Sequence, residues 1–538
     1  MRQLAKNYDF IIVGAGSAGC VLANRLTESG QHRVLLLEAG PDSRHPWLRI
    51  PLGYGKLFTD RRFNWCYQTE PQPHCAGRNI VAPRGRVLGG SSSINGLIYI
   101  RGQKQDFDHW RQLGNTGWGF DDVLPYFRKA EDNERGADAW HGAGGPLGVS
   151  DLRDRHPLAE AWVDAAVESG YPRNADFNGA TQEGAGLYQT TMRRGVRSST
   201  AAAYLAPVRN LANLHVVSEA LATRILFEGR HATGVEYTVG GVKHVAHANV
   251  EVIVAAGAFN SPQLLQLSGL GPADLMRAHG IPVIADLPGV GAELSDHYFT
   301  RIILRAKEPL SLNDAVRQWH RGAAAALRYT FQRRGYFAIP AISAGCFLRA
   351  HPTAATPDIQ ASLGLYSVQN IGETLHQFSG VTAVCCLLRP ESKGNVRIQS
   401  ADPQQAPAIN PNYLASEKDC DTMIHGLRAV RRILQAPAIK QHIAEEFEPG
   451  PACASDDELL EYARQRGSTV YHPVSTCRMG QDDTAVVDAR LRVRGFAGLR
   501  VIDASVMPSL VSGNTNAATI MIAEKGAQMV LEDAKARA

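Results

Sequence analysis

A glycine-rich turn near the N-terminus constrains this chain more than any other feature. Residues 8–13 ("YDFIIV") are apolar and predict a buried strand, and "CVLANRLTES" after the turn has the spacing of a helix that ends at Gly30. Strand, turn and helix form the βα unit in which a helix N-terminus binds a pyrophosphate. The turn consists of Gly14, Ala15, Gly16, Ser17, Ala18 and Gly19.

An acidic residue after the next strand strengthens this interpretation. The segment "HRVLLLEAG" predicts a second strand and places Glu38 at its end, at the offset from the glycines that the dinucleotide fingerprint requires. A carboxylate there binds ribose hydroxyls and repels a 2′-phosphate, which disfavours NADP. The alternative is a glycine-rich turn of an unrelated α/β domain. Other glycine runs, at 142–145 and 289–291, are incomplete, so one dinucleotide is expected, and the fingerprint alone leaves NAD and FAD open.

Composition excludes several classes of protein. A chain of 538 residues with 44% hydrophobic and 20% charged residues is typical of a two-domain globular enzyme. Its 56 basic and 52 acidic residues are dispersed, so nucleic acid is not an expected partner. No apolar run approaches the ~20 residues of a membrane span, and no cleavable secretory pattern is present, which predicts a cytoplasmic protein. The 9 cysteines are scattered without a C-x-x-C motif, which argues against a disulfide framework or zinc site.

Two longer segments carry a resemblance to a known family. "GRVLGGSSSINGLIYIRGQKQDFD" (85–108) is similar to the first signature of the glucose–methanol–choline (GMC) oxidoreductases, and "GAFNSPQLLQLSGLG" (257–271) resembles the second. Four further segments also resemble the family: "HGAGGPLGV", "LPGVGAELSDH", "STVYHPVSTCRMG" and "VIDASVMPSLVSGNTNAATIMIAEK". The resemblance therefore runs from end to end, and it is least distinctive at 151–198 and 301–466.

The resemblance implies an α/β fold (α+β overall) with two interleaved domains. One is a Rossmann-type FAD-binding domain, and the other is a substrate domain built on a mainly antiparallel sheet. The sequence supports interleaving because nucleotide-type βα units occur at the start, in the middle and at the end of the chain. We expect the FAD-binding domain at 1–150, 199–300 and 467–538, and the substrate domain at 151–198 and 301–466.

The same resemblance identifies FAD as the cofactor. "GGSSS" at 89–93 offers backbone N–H groups and hydroxyls for close approach to a flavin or phosphate, against the alternative of a polar turn. The helix expected after "SGNTN" points the positive end of its dipole at a group bound above its N-terminus. Besides the glycine-rich turn, the expected cofactor-binding residues are Glu38, Ala39, Arg86, Val87, Gly90, Ser91, Asn95, Gly96, Leu97, Ile98, Ala222, Ala256, Gly257, Asp503, Ala504, Asn514, Thr515 and Asn516.

The mode of FAD attachment is predicted from one position in the first signature. In the members of the family that attach FAD covalently through a histidine, that histidine lies in this segment. Ile94 occupies the matching position here. Since an isoleucine side chain offers no nucleophile, we expect non-covalent FAD.

A single histidine before a proline is the candidate catalytic residue. From the residues alone, His472 in "STVYHPVSTCRMG" can be a core histidine, a metal ligand or a base. No HxxxH or HxH spacing surrounds it, so no metal site is expected. The resemblance implies that His472 is the catalytic residue over the flavin and that Asn516 is its partner. Neutral imidazole can remove a hydroxyl proton near neutral pH, whereas an amide can only orient the oxygen.

These expectations define an enzyme that oxidises a primary alcohol, aliphatic or benzylic, to the aldehyde with hydride transfer to flavin N5. A choline-type dehydrogenase and a GMC-fold lyase without net oxidation remain alternatives, and Tyr471 departs from members with a second histidine before the catalytic one. The partners are the alcohol and an electron acceptor, a quinone or O₂, with a dehydrogenase favoured over an oxidase. Peripheral membrane association and oligomeric state are left open.

Overall fold

The computed structural model describes residues 7–369 and 374–537, and within them two seven-stranded sheets organise the chain. The first sheet is parallel through its first four strands, which explains the near-continuous apolar character of "FIIV" and "VLLL". Its strands, in spatial order, are Leu214–Val217, Val34–Leu37, Asn7–Val13, Val242–Val254, His231–Val239 and Ala220–Glu228, with Leu499–Val501 also parallel to Val242–Val254.

The second sheet is antiparallel at every pairing. Its strands are, in spatial order, Ile443–Glu448, Tyr298–Ala306, Gly380–Leu387, Ile359–Gly364, Ile342–Leu348 and Gly184–Leu187, with Ser468–Thr469 beside Tyr298–Ala306. The mixed α/β fold, with a Rossmann-type sheet and a mainly antiparallel second sheet, is the one that the sequence predicted.

Helices cover both sheets and join them. The α-helices of six or more residues in the described ranges are Ser17–Thr27, Lys104–Gln112, Phe120–Ala130, Pro157–Glu168, Gly257–Leu267, Ala273–Ala278, Leu312–Arg317, Trp319–Gln332, Glu417–Gln435, Asp456–Arg466 and Thr515–Arg537. None of these described helices is both long enough and apolar enough to cross a bilayer. Short strand pairs are Tyr67–Gln68 with Val81–Ala82, Glu131–Asn133 with Leu147–Val149, Met192–Arg193 with Val196–Arg197, Leu270–Gly271 with Ala285–Asp286, and Asn395–Arg397 with Ala408–Asn410.

Two separate apolar cores follow the two sheets. The first contains the parallel strands and the helices Ser17–Thr27 and Thr515–Arg537, which pack against each other. The second contains the helices Pro157–Glu168 and Glu417–Gln435 on the antiparallel sheet. The domain boundaries stay a prediction. In the second sheet, Tyr298–Ala306 crosses the predicted boundary after residue 300, and Ser468–Thr469 lies within the segment 467–538 that was predicted for the FAD-binding domain.

Candidate active site

A cavity of about 1150 Å³ extends from the glycine-rich turn to His472. Strands of both sheets contribute to its wall, including the end of Asn7–Val13 and the face of Tyr298–Ala306 that carries Phe299 and Arg301. A cavity of this size exceeds the usual 300–1,000 Å³ range of small-molecule sites. It therefore has room for a dinucleotide and for a substrate beyond it.

The glycine-rich turn forms the nucleotide end of the cavity through close backbone packing. Gly14 has a φ of 98°, and a Cβ there would lie 2.6 Å from the carbonyl oxygen of Ala255. A Cβ on Gly90 would lie 2.7 Å from the Cα of Gly16, so the two glycine segments pack directly against each other. Gly16 itself has no neighbour on its Cβ side within 4 Å. The turn thus leaves its backbone open for a phosphate, as a FAD cradle requires.

Glu38 closes this end of the cavity. Its carboxylate accepts hydrogen bonds from the backbone N–H groups of Ala15 (2.9 Å) and Gly40 (2.8 Å). Burial raises the pKa of Glu38 to about 7, although both hydrogen bonds favour the charged form. Because Glu38 also lines the cavity, its carboxylate is placed to meet the ribose of a nucleotide.

Most of the residues expected to bind the cofactor lie on the cavity wall. Ala15, Gly19, Arg86 and Val87 lie behind it; the guanidinium of Arg86, for example, packs over the ring of Trp65. Ser92 and Ser93 turn their hydroxyls to the carbonyl oxygens of Gly89 and Leu88, so they do not offer them to a ligand. The wall contains Gly14, Gly16, Ser17, Ala18, Glu38, Ala39, Gly90, Ser91, Asn95, Gly96, Leu97, Ile98, Ala222, Ala256, Gly257, Asp503, Ala504, Asn514, Thr515 and Asn516.

Asp503 connects the middle and C-terminal parts of the nucleotide site. Its carboxylate accepts hydrogen bonds from the backbone N–H of Gly257 (2.8 Å) and from the hydroxyl of Ser261 (2.5 Å). Ser505 donates its backbone N–H to the other carboxylate oxygen at 2.8 Å. Asp503 thereby fixes the start of the helix Gly257–Leu267 against the segment that leads to Thr515–Arg537.

His472 lies at the opposite end of the cavity on a strained loop. Tyr471 before it has a φ of 68°, and its carbonyl oxygen accepts a hydrogen bond from Arg84 at 2.6 Å. The backbone N–H of His472 donates to the carboxylate of Asp296 at 2.8 Å, and Asp296 also accepts from the hydroxyl of Thr469. These contacts hold the His472 imidazole in the cavity wall.

A second histidine, His297, contacts the imidazole of His472. Their Nδ1 atoms are 3.0 Å apart, and Nε2 of His297 lies 3.1 Å from the carbonyl oxygen of Leu388. A carbonyl oxygen only accepts, so Nε2 of His297 carries a hydrogen, and its Nδ1 is then the acceptor in the neutral ring. His472 must donate from its own Nδ1. Its Nε2 consequently carries the acceptor lone pair of the ring and faces the amide of Asn514.

Both imidazoles are held neutral. Burial lowers the pKa of His297 to about 4. Burial, followed by the proximity of His297 and Arg84, lowers the pKa of His472 well below its ordinary range. The Asp296 carboxylate does not reverse this effect because it contacts the backbone of His472 and not its ring.

The asparagine next to His472 differs from the predicted one. Nδ2 of Asn514 lies 3.2 Å from Nε2 of His472, whereas Oδ1 of Asn516 accepts a hydrogen bond from the hydroxyl of Ser17 at 2.8 Å. The helix begins at Thr515, so Asn514 precedes it and faces His472, while Asn516 in the first turn faces the glycine-rich turn. Oδ1 of Asn514 is buried without a hydrogen-bond partner in the described structure.

The substrate end of the cavity has a positive character. The acidic residues on the described cavity wall are Glu38 and Asp503, both at the nucleotide end, whereas Arg84, Arg301 and Arg317 lie toward the second sheet. Arg301 is 5% exposed, and burial lowers the pKa of its guanidinium. No carboxylate within the described ranges forms an ion pair with it. In these ranges there is also no cluster of three His, Cys, Asp or Glu side chains that could hold a metal ion.

Sequence reasoning missed several residues of this end. Asp296 and His297 lie in "LPGVGAELSDH", where an acid and a histidine directly before a strand were the available signal. The apolar stretches 336–348 and 358–368 contain the core strands Ile342–Leu348 and Ile359–Gly364, and some of their residues also line the cavity. These stretches therefore contribute both to the core and to the cavity wall.

The GMC oxidoreductase family model matches residues 8–299 and 390–523 of this chain. An alcohol dehydrogenase [acceptor] of Pseudomonas putida is 44% identical over 531 residues, which cover 97% of this chain and 96% of the relative. An oxygen-dependent choline dehydrogenase of Burkholderia ambifaria is 43% identical over 530 residues, 98% of this chain and 94% of the relative. The structure of an Aspergillus oryzae formate oxidase variant, solved for its effect on FAD modification, has a TM-score of 0.93 and 27% identity and covers 99% and 100% of the two chains.

These matches define the class of the protein: the chain belongs to the GMC oxidoreductase family. It has the family's FAD-binding fold, and the cavity geometry fits that cofactor because the glycine-rich turn, Glu38 and Asp503 line one continuous space that ends at His472. It is an oxidoreductase that acts on alcohols, like the alcohol dehydrogenase [acceptor] that is 44% identical to it. The identity of the alcohol and of the acceptor lies beyond what the family defines.

Proposed function

We propose that the protein oxidises an uncharged primary alcohol, aliphatic or benzylic, to the aldehyde, with His472 as the base. The observation that carries this proposal is the contact between the Nδ1 atoms of His472 and His297, because it leaves the acceptor lone pair of the His472 ring on Nε2. FAD, when bound, supplies the hydride acceptor. The protein side of the reaction is then the removal of one proton and the orientation of one oxygen.

The proton transfer follows from the contacts of His472. A substrate hydroxyl that donates to Nε2 can at the same time accept from the Nδ2–H of Asn514, which already lies beside Nε2. When Nε2 takes the proton, the resulting imidazolium still donates from Nδ1 to the neutral ring of His297. That hydrogen bond stabilises the positive charge at the moment at which it forms.

The charge of the substrate end favours a neutral alcohol over choline. A quaternary ammonium group is bound by carboxylates or by a box of aromatic rings. Arg84 and Arg301 would repel such a cation, and the described acidic residues of the cavity lie at the nucleotide end. Aromatic and aliphatic side chains such as Tyr366, Phe299 and Val384 line the same cavity, so the ranking rests on the charge of the arginines and not on a lack of rings. We therefore rank choline, which the name of a relative indicates, below an uncharged alcohol.

FAD is proposed to bind without a covalent link. Ile94 is buried in a small apolar cluster with Leu48, Leu57, Phe63 and Val87, and its side chain offers no nucleophile to the cavity that it lines. Precipitation of the protein with acid should release all flavin into the supernatant. Flavin that stays with the precipitated polypeptide would overturn this part of the proposal.

The electron acceptor is proposed to be a quinone, which would make the enzyme a dehydrogenase. The name of the 44% identical relative, alcohol dehydrogenase [acceptor], supports this choice. Alcohol-reduced enzyme should reoxidise slowly in air-saturated buffer and much faster with a quinone or phenazine dye. Peroxide formed at the rate of turnover would instead define an oxidase. A location in the cytoplasm is proposed separately, from the lack of a secretory pattern in the sequence.

A panel of substrates tests the whole proposal. Under anaerobic conditions the bound flavin should bleach rapidly with 1-octanol and benzyl alcohol and slowly with choline, because only choline places a cation near Arg301. Rapid bleaching by choline, with slow bleaching by the neutral alcohols, would contradict the proposed substrate class. Arg301→Leu is the matched variant, and it should narrow the difference between choline and the alcohols.

A further inference from the structure

The most exposed apolar side chains of the molecule are concentrated beside the cavity. Nine large hydrophobic residues in the described ranges are exposed, and four of them lie between Val316 and Phe331. Their exposed fractions are 69% for Val316, 82% for Trp319, 61% for Leu327 and 80% for Phe331. Exposed apolar residues that occur singly are ordinary, whereas a contiguous group marks an interaction surface.

The helix Trp319–Gln332 presents these side chains as one stripe. Trp319, Ala323, Leu327 and Phe331 follow one another at intervals of four residues and therefore share a face. Of the whole helix only Tyr329 is buried against the rest of the protein, with its hydroxyl near the carbonyl oxygen of Gly195. The stripe thus contributes nothing to the core of the described fold.

Basic residues surround the stripe. The segment from Ala315 to Gly335 contains five arginines and no aspartate or glutamate. Asp154 contacts Arg328 and Arg334, and Asp314 contacts Arg317, at the inner side of this segment. Arg321 donates to the carbonyl oxygen of Pro309, and Arg333 packs over Tyr329, so both keep an unneutralised charge near the surface.

The cavity opens at the same place. Val316 and Arg317 are exposed and also line the cavity, as does the neighbouring Leu312. The helix Leu312–Arg317 therefore borders the opening, and the helix Trp319–Gln332 follows it directly in the chain. An apolar stripe with flanking arginines is the pattern of a helix that lies in the interface of an anionic bilayer. A bilayer dissolves both apolar alcohols and quinones.

We propose that the helix Trp319–Gln332 docks the enzyme on anionic phospholipid, with the cavity opening toward the membrane. The stripe inserts between headgroups and the arginines contact lipid phosphates, while the protein stays on one side of the bilayer. The route of substrate entry rests on the proposed function, but the docking itself does not. Docking and catalysis can therefore be tested apart.

Vesicle sedimentation of the holoenzyme tests the docking. The wild type should sediment with phosphatidylcholine vesicles that contain phosphatidylglycerol, and much less with phosphatidylcholine alone or in high salt. Trp319→Ser/Phe331→Ser should weaken the binding roughly tenfold or more, since each side chain loses its burial in the membrane. Arg321→Gln should weaken it roughly fivefold. Val242→Ser/Val245→Ser, which removes exposed apolar residues of another surface, should change nothing.

Two controls decide between this proposal and its competitors. Oxidation of a short water-soluble alcohol with a dye acceptor should be unchanged in all these variants, which shows that they are folded. Equal vesicle binding by the wild type and the Trp319→Ser/Phe331→Ser variant would overturn the proposal. The proposal would also be overturned if the wild type did not bind vesicles but formed a dimer in solution that the Trp319→Ser/Phe331→Ser variant did not form. The stripe would then contact a second copy of the chain.

Discussion

Two buried histidine clusters in this molecule differ in charge: the rings of one are neutral, and the ring of the other is a cation. His472 contacts His297 and Asn514, and burial keeps both histidines neutral. His141 instead lies between two carboxylates, with Nδ1 3.0 Å from Glu131 and Nε2 2.8 Å from Asp176. Burial opposes its charge, but these two carboxylates raise the pKa of His141 to about 9.

The difference shows that the partner of the ring, more than burial, decides the role of a buried histidine. Both ring nitrogens of His141 donate, which leaves no lone pair for chemistry and makes the residue a cation within an ion network. That network includes Arg101, which pairs with Glu131 in a site with almost no solvent exposure. His472 has a carboxylate close by, Asp296, but that carboxylate binds its backbone N–H and leaves the ring neutral.

The largest expected effect comes from removing the neutral histidine. His472→Ala should keep FAD and fold but reduce flavin about 10²–10⁴-fold more slowly, because the hydroxyl proton loses its acceptor. Asn514→Ala should lose less activity, and Asn516→Ala less still, since Asn516 contacts Ser17 in place of His472. Anaerobic stopped-flow absorbance measures all three rates. Near wild-type flavin reduction by His472→Ala would show that another group is the base.

Removal of the charged histidine should affect stability and not chemistry. His141→Gln leaves Glu131 and Asp176 without their shared cation, and breaking a buried ion network costs about 3–5 kcal/mol of the free energy of unfolding. Urea unfolding measures that loss, and the folded variant should reduce its flavin at the wild-type rate. Slower flavin reduction with unchanged stability would show that His141 takes part in the reaction, and it would contradict the difference in role between the two histidines.

The pH dependence of this stability has a defined sign. The pKa of His141 is about 9 in the folded protein and about 6.5 in an unfolded chain. The imidazolium therefore contributes stability that is complete below pH 6.5 and is lost as the pH rises through 9. The difference in unfolding free energy between the wild type and His141→Gln should shrink over this window. A difference that grows with pH would mean that the ring is neutral in the fold.

A smaller effect is expected from the positioning residue His297. His297→Leu removes the acceptor that fixes the tautomer of His472, and the loss of such a supporting hydrogen bond typically costs 10- to 100-fold, here in flavin reduction. The pH profile separates this role from a merely structural one, since an unrestrained His472 should titrate nearer its ordinary pKa. An unchanged profile together with a slower rate would restrict His297 to packing.

The sequence predicted the nucleotide end of this site better than the catalytic end, for a physical reason. The residues of the nucleotide end are close together in the sequence, because one βαβ unit contains the turn Gly14–Gly19, the strand Val34–Leu37 and Glu38 at the end of that strand. Glycines such as Gly14 and Gly19 are needed because a Cβ there would collide with the backbone. The contact between His297 and His472 joins residues that are 175 positions apart, and no sequence spacing predicts it. Asn514 precedes the helix that begins at Thr515, and Asn516 lies in its first turn. The exact start of the helix therefore determines which of the two asparagines contacts His472.

The substrate end shows the same limit. Phe299 and Arg301 are two positions apart in a strand and therefore lie on the same face of it. That this face points toward the cavity depends on how the second sheet packs against the nucleotide domain, which the sequence does not show. The regions 151–198 and 301–466, where the resemblance to the family was least distinctive, contain most of the strands of this second sheet. The apolar residues of the helix Trp319–Gln332 can likewise be read from the sequence, but their exposure to solvent cannot.

The pH dependence of flavin reduction tests the central claim most directly. If His472 is held neutral by burial and by His297, its rate of flavin reduction by saturating alcohol should stay level from pH 8 down past its ordinary pKa of about 6.5. Anaerobic stopped-flow measurements across this range, repeated with His472→Gln as the reference, give the profile. A decline with an apparent pKa near or above 6.5 that disappears in His472→Gln would show that the ring is charged in the resting enzyme and would contradict the account.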